Sequence, residues 1–230
     1  MSDRAVVQKL INEAARATLA PLGLRQKGRS RLWFDDRGWS LIVVEFQPGR
    51  GPGTYLNVGV MWLWAERNHW AFDEGARVYW RDDETFTYRP EYGERGWNQH
   101  VGFIRAGHFA RDVAPAARVA AAVVRHLRER FPDLAATAAE LAGASAKVGQ
   151  DPLWHAYHAG AAAALGGDPA LSDRFLAEVA STDSSRPWAV DLARGAAELL
   201  RCDHAARRDR LVATIGRTRA LLAVPPVTAG

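Results

Sequence analysis

Residues 30–64, SRLWFDDRGWSLIVVEFQPGRGPGTYLNVGVMWLW, decide the fold of this 230-residue chain. Three runs within it, at 30–35, 39–47 and 54–64, alternate side chains with period two and are filled by β-branched and aromatic residues, the pattern of strands with one buried face. The turn Asp35-Asp36-Arg37-Gly38 separates the first two runs and the Gly/Pro loop at 48–53 separates the last two. Strands joined so tightly must pair antiparallel, because a parallel pair needs a crossover of about a dozen residues. Two further runs, 76–80 and 85–89, flank Arg81-Asp82-Asp83-Glu84 and predict another hairpin. Seven of the nine tryptophans fall between residues 33 and 97, which assigns the aromatic mass to this β-rich part. The stretch 90–107 is aromatic and irregular, and no element is predicted there.

Working outward, Val6, Val7, Leu10, Ile11, Ala14 and Thr18 recur at three- and four-residue steps and predict a helix over 3–20 that Pro21 ends. Beyond residue 111 the chain becomes alanine-rich. Asp112 reads as an N-cap and Pro115 as a first-turn proline, with Val119, Val123, Leu127 and Phe131 on one face and Pro132 closing the helix. Asp151-Pro152, Asp168-Pro169 and Arg186-Pro187 each place proline at a first helical position, Gly166-Gly167 ends one helix, and a last helix over about 203–223 makes four. A shift of 35 residues superposes Pro152 on Pro187, Gly160 on Gly195, Leu165 on Leu200, Asp168 on Asp203 and Leu176 on Leu211. That spacing is near the ~34-residue period of tetratricopeptide hairpins, yet such arrays need about three copies and their signature residues are absent, so two ordinary helix hairpins are the competing reading. The expected architecture is α+β: an N-terminal helix, an antiparallel sheet of about five strands, then an α-helical C-terminal half. The expected organisation is an α+β domain over 1–131, helical hairpins packed on it over 132–224, and a tail at 225–230.

Hydrophobic residues make up 48% of the chain and the formal net charge is +4. Residues 1–110 and 111–230 each carry 15 basic and 13 acidic side chains, so neither half is a basic arm. Nucleic-acid readers concentrate their charge, which disfavours nucleic acid as the partner. Cys202 is the only cysteine, which excludes an intrachain disulfide and a thiolate zinc set and predicts a cytoplasmic protein. No run approaches the ~20 apolar residues of a membrane span, so no membrane association is expected.

The familiar chemical motifs fail on context. Gly49-Arg50-Gly51-Pro52-Gly53-Thr54 lacks the Gly-Lys-Ser/Thr and following helix of a phosphate loop. Gly28-Arg29-Ser30-Arg31-Leu32 lacks the second glycine of a nucleophile elbow and leads into a strand. His155 and His158 can share a helix face, but no third ligand stands nearby. Asp82, Asp83 and Glu84 read as a solvated turn, and Arg201, Arg207, Arg208, Arg210, Arg217 and Arg219 as arginines spread around the last helix. No catalytic residue, metal site or cofactor is predicted.

Period-two counting isolates one constellation. It puts Leu32, Phe34, Ile42, Val44, Phe46, Leu56, Val58 and Val60 on a core face. It puts Arg29, Arg31, Trp33, Glu45, Gln47, Tyr55 and Asn57 on the other, near the 48–53 loop, where Trp39, Leu41, Val43, Met61 and Leu63 continue the face apolar. Those seven residues are the candidate partner-binding site; the competing reading is a polar sheet end covered by a helix.

Leu22-Gly23-Leu24, Lys27-Gly28-Arg29-Ser30-Arg31-Leu32-Trp33, Val43-Val44-Glu45-Phe46-Gln47 and Tyr55-Leu56-Asn57-Val58-Gly59-Val60 together resemble the bacterial domain-of-unknown-function family 4304 over about residues 5–130. That family has a leading helix, a Leu-Gly-Phe entry, a Gly-Arg turn into an aromatic strand and an Asn-x-Gly strand; Leu24 stands where it commonly has phenylalanine. The resemblance implies the fold and supplies no reaction. The function expected is therefore non-enzymatic binding, with another protein as the partner, through the Arg/Trp/Tyr surface. The alternatives are an enzyme using Glu45 or His100 as base and a single-stranded nucleic-acid binder stacking bases beside Arg29 and Arg31. The oligomeric state is not legible.

Overall fold

The computed structural model describes residues 2–144 and 151–226. The strongest strand patterns become the strands themselves: β1 (Arg25–Gln26), β2 (Leu32–Asp36), β3 (Ser40–Gln47) and β4 (Gly53–Trp62) follow one another, then β5 (Glu74–Arg77), β6 (Tyr79–Trp80), β7 (Phe86–Thr87) and β8 (His100–Gly102). The sheet runs β1-β2-β3-β4-β5, with β8 also on β4. β5 pairs with Asn57 to Val60, and β8 pairs with Gly53 to Tyr55. One long strand thus brings together two short ones distant in sequence. β6 and β7 form a separate hairpin, shorter than the alternation at 76–80 and 85–89 suggests because residues 76 and 77 belong to β5.

The turn between β6 and β7 uses all three acids. Asp83 accepts from the Thr85 backbone and hydroxyl at 3.0 and 2.7 Å, Asp82 accepts from Asn98 at 3.2 Å, and Glu84 pairs with Arg118 at 2.6 Å. It is a structural turn, as expected.

The helices are α1 (Asp3–Leu19), α2 (Ala106–Arg130), α3 (Leu134–Gly143), α4 (Pro152–Gly166), α5 (Pro169–Ala180), α6 (Pro187–Leu200) and α7 (His204–Leu221). α1 buries Val7, Ile11, Ala15 and Leu19 as a single stripe. The predicted start of the next helix at Asp112 is wrong: α2 begins at Ala106 and carries Pro115 in its interior. Proline there denies a hydrogen bond to the Arg111 carbonyl, but Arg111 is exposed, so water can satisfy that oxygen. The prolines at 152, 169 and 187 do open helices, and Gly167 ends α4 in the left-handed conformation. α3 was not predicted, although Asp133 caps it by accepting from Ala136 N at 2.8 Å.

The chain divides into two compact units. The first is Met1–Met61 with Ala71–Leu127, and holds the sheet, α1 and most of α2. The second is Trp62–Trp70 with Arg128–Gly230. In the second, Trp62 and Trp64 stack with centroids 5.1 Å apart, Phe131 meets Trp62 edge-on, and Trp64 Nε1 donates to His158 Nδ1 at 3.1 Å. His155 Nε2 donates to the carbonyls of Leu141 and Ala144. The two histidines are therefore packing residues. Tyr157 lies among them, and burial pushes its hydroxyl up to about 12.

The 35-residue correspondence survives in capping and fails in packing. Asp168 and Asp203 cap α5 and α7 alike, accepting from Leu171 N and Ala206 N. Gly160 presses against Leu176, whereas its counterpart Gly195 faces open space. Of the six C-terminal arginines, Arg207 and Arg219 are buried. Arg207 donates to Leu199 O, Ser172 Oγ and Asp173. The tail expected at 225–230 lies outside the described residues from 227 onward.

Candidate functional site

Register decides which of the seven predicted residues share a face. β2 pairs with β3 as Leu32 opposite Glu45, Trp33 opposite Val44 and Phe34 opposite Val43. Directly opposed residues of an antiparallel pair point to the same side. Trp33 therefore belongs with Val44 in the core, and Leu32 and Phe34 belong with Glu45 and Val43. Counting placed β2 one residue out, and such a slip exchanges its two faces. Trp33 is sealed, and its indole N–H has no hydrogen-bond partner.

Arg31 is removed from the site by the same slip. Its Nε donates to Gln8 Oε1 of α1 at 2.7 Å and its Nη1 donates to Gly53 O at 3.1 Å, and burial lowers its pKa. Arg29 is exposed, and its carbonyl accepts from Gln8 Nε2 at 3.4 Å. These two arginines fasten α1 to the strand end and do not join Glu45.

The other four predicted residues do come together. Asn57 Nδ2 donates to Glu45 Oε2 at 3.0 Å and to Gln47 Oε1 at 3.3 Å. Two residues that counting missed complete the cluster. Arg77 enters because β5 sets it opposite Asn57, and its Nε donates to Asn57 Oδ1 at 2.8 Å while Nη2 donates to Gln47 Oε1 at 2.6 Å. His100 enters because β8 sets it opposite Tyr55. Both pack against the Tyr55 ring, with the Arg77 guanidinium 4.1 Å from its centroid and the His100 ring 4.6 Å away. His100 was noticed as a conceivable base, but nothing local to it pointed to Tyr55.

Two glycines make this approach possible. At Gly53, with φ of +153°, an added Cβ would meet Val101 O at 2.6 Å and His100 Nε2 at 2.8 Å. At Gly59 it would meet Glu74 O at 2.2 Å, so β5 could not close on β4. Positive φ and backbone contact both call for glycine. The Asn-x-Gly signature at 57–59 thus pairs a site residue with the glycine that admits Arg77's strand.

His100 also lines a cleft of about 410 Å³, with Trp80, Arg81, Asp82, Asn98, Arg111 and Asp112 among its walls. Arg81 is ion-paired with Glu94 and lies 4.4 Å from the Trp97 ring centroid; Arg111 pairs with Asp112. Partial burial, reinforced by the charge of Arg77, lowers the His100 pKa. Both effects favour the neutral form of the imidazole. Among the described residues no group of three or more His, Cys, Asp or Glu side chains is placed to hold a metal ion, and no helix is long and apolar enough to cross a membrane. No family model, curated protein or solved structure matches the chain.

Proposed function

We propose that this chain acts by binding another protein at the end of its sheet where Tyr55 and Arg77 meet His100, a wall of the cleft. The observation that carries the reading is an arginine laid on a tyrosine ring that also packs against His100, a wall of the cleft, since arginine and large aromatics dominate the energetics of protein interfaces. Large exposed side chains support it: Tyr92, in the stretch that joins the cleft residues Asp82 and Asn98, and Ile104, two residues after Gly102, are 108% and 81% exposed. The nucleic-acid alternative is weakened because Trp33, which it needed on the surface, is buried. Cytoplasmic residence and the likeness to family 4304 belong to the same proposal, the first supported by the lone Cys202 and the second by the motifs at 22–60.

The test is a photo-crosslinking amino acid at position 92, with position 212, an exposed valine of α7, as control. A discrete adduct from position 92 in the native host, lost with Arg77→Ala and not given by position 212, is the expected result. An adduct indifferent to Arg77, or none, overturns the reading. One observation favours a second reading, an enzyme. An imidazole whose neutral form is favoured, at a cleft of substrate size, has the protonation state of a general base.

A further inference from the structure

The side-on edge of the Arg77 guanidinium, Nε with one hydrogen of Nη2, is filled by the oxygens of Asn57 and Gln47. Both partners are neutral amides. Among the described residues the end-on edge, formed by Nη1 and the second Nη2 hydrogen, has no partner, and Nη1 is not among the sealed polar atoms. No carboxylate of the described residues is within ion-pair reach of this guanidinium, although Arg81 and Arg111 in the cleft wall each have one. The nearest acid of the network, Glu45, is turned toward Asn57 and reaches Arg77 only through that amide. Its effect is to orient Asn57 with the NH2 toward Glu45 and the carbonyl toward Arg77. The Tyr55 ring fixes the guanidinium plane from one side, and His100, packed against the same ring, makes no hydrogen bond through either nitrogen among the described residues.

We infer that Arg77 is a carboxylate receptor: its free edge takes an acidic side chain of the bound protein in two parallel hydrogen bonds, with His100 beside it. The inference rests on the binding role proposed above and specifies what the partner must present. The geometry is that of fork recognition, in which planar guanidinium donors meet two carboxylate oxygens and both hydrogen bonds are charge-assisted. The orientation cost that usually weakens such a contact is small, because two amides and an aromatic ring already hold the side chain. Asn57 is buried and Arg77 half-buried, so the receptor is less screened than a surface arginine.

The test follows the Arg77 Nε–Hε and His100 ring signals by NMR while N-acetylglutamate amide, and separately inorganic phosphate, are titrated into the full chain at constant ionic strength against chloride. A saturable shift with the glutamate probe is expected. Arg77→Gln should abolish it, read at His100, and Arg77→Lys, which keeps the charge and loses the fork, should weaken it by about tenfold or more, the worth of one charge-assisted hydrogen bond. Backbone spectra of both variants check that the sheet is intact. No saturable shift, a shift with phosphate alone, or one that Arg77→Gln leaves unchanged overturns the inference. A crosslinked adduct without the glutamate shift would remove the carboxylate receptor and leave the binding role standing; the shift without an adduct would do the reverse.

Discussion

At the residue scale the side chains that counting grouped together serve different purposes. Arg31 bridges Gln8 and Gly53 in a partly buried setting, so Arg31→Ala should lower stability by about 1–3 kcal/mol, the range for a hydrogen bond to a charged group. Chemical denaturation checks this; a change within ~0.5 kcal/mol would mean that Arg31 is an ordinary surface residue. His100 supplies a pH prediction. Its folded pKa is below the ordinary value, so as pH falls through about 6.5 the unfolded chain takes up the proton first and stability is lost. The contribution is fully present above that pH. Between pH 7 and 5.5 the wild type should therefore lose more stability than His100→Gln, in which all other titrations are shared. Equal slopes would show that the histidine titrates alike in both states. Glu45, Gln47, Tyr55 and Asn57 were legible as a group because they lie two apart on β3 and β4. Arg77 and His100 were not, because their neighbourhood is made by strand pairing across 20 residues in the first case and through an unpatterned stretch in the second.

At the element scale, local punctuation was the reliable signal. Asp-Pro and Arg-Pro openings and the Gly167 stop need only their immediate neighbours, and each stands where the sequence puts it. Pro115 misled because the same residue that favours a first turn was accommodated inside α2, where the adjoining backbone is exposed. α3 went unread although its cap, Asp133, follows Pro132 directly. The first strand's faces went wrong for another reason: period-two alternation gives a side only relative to a register, and the turn at 35–38 left the register open. The repeat-like pairing of α4 and α6 invites a direct comparison. A methyl group at Gly160 would come within 2.9 Å of Leu176 Cγ, whereas none of the surroundings of Gly195 lies within 4 Å. Gly160→Ala should therefore cost about 1–3 kcal/mol through overpacking, and Gly195→Ala should add about 0.5–1 kcal/mol through helix propensity. Opposite changes in Tm are expected; like changes would restore equivalence to the two hairpins.

At the scale of the whole molecule, fold class was legible because hydrophobic period changes from two to about 3.6 beyond residue 111, and function was not, because no motif carries it. The two longest strands, β3 and β4, are also the most fully buried, and both sit inside the sheet. The outermost partners are brief: β1 has two residues, one of them arginine, while the far side of β4 is divided between β5 with four and β8 with three. Short margins of this kind deny a second copy a long template on which to pair. The protection on β4 is conditional, since β5 closes only against Gly59. Gly59→Val should detach it and uncover the backbone of LNVGVM at 56–61, a segment of high β-propensity without charge or proline. Light scattering on warming should then rise steeply with protein concentration, and a variant as monodisperse as wild type would refute the idea. The glycine that opens a place for Arg77 is on this account also a guard against fibrillar self-association, so drift at that position would convert a closed sheet into a seed.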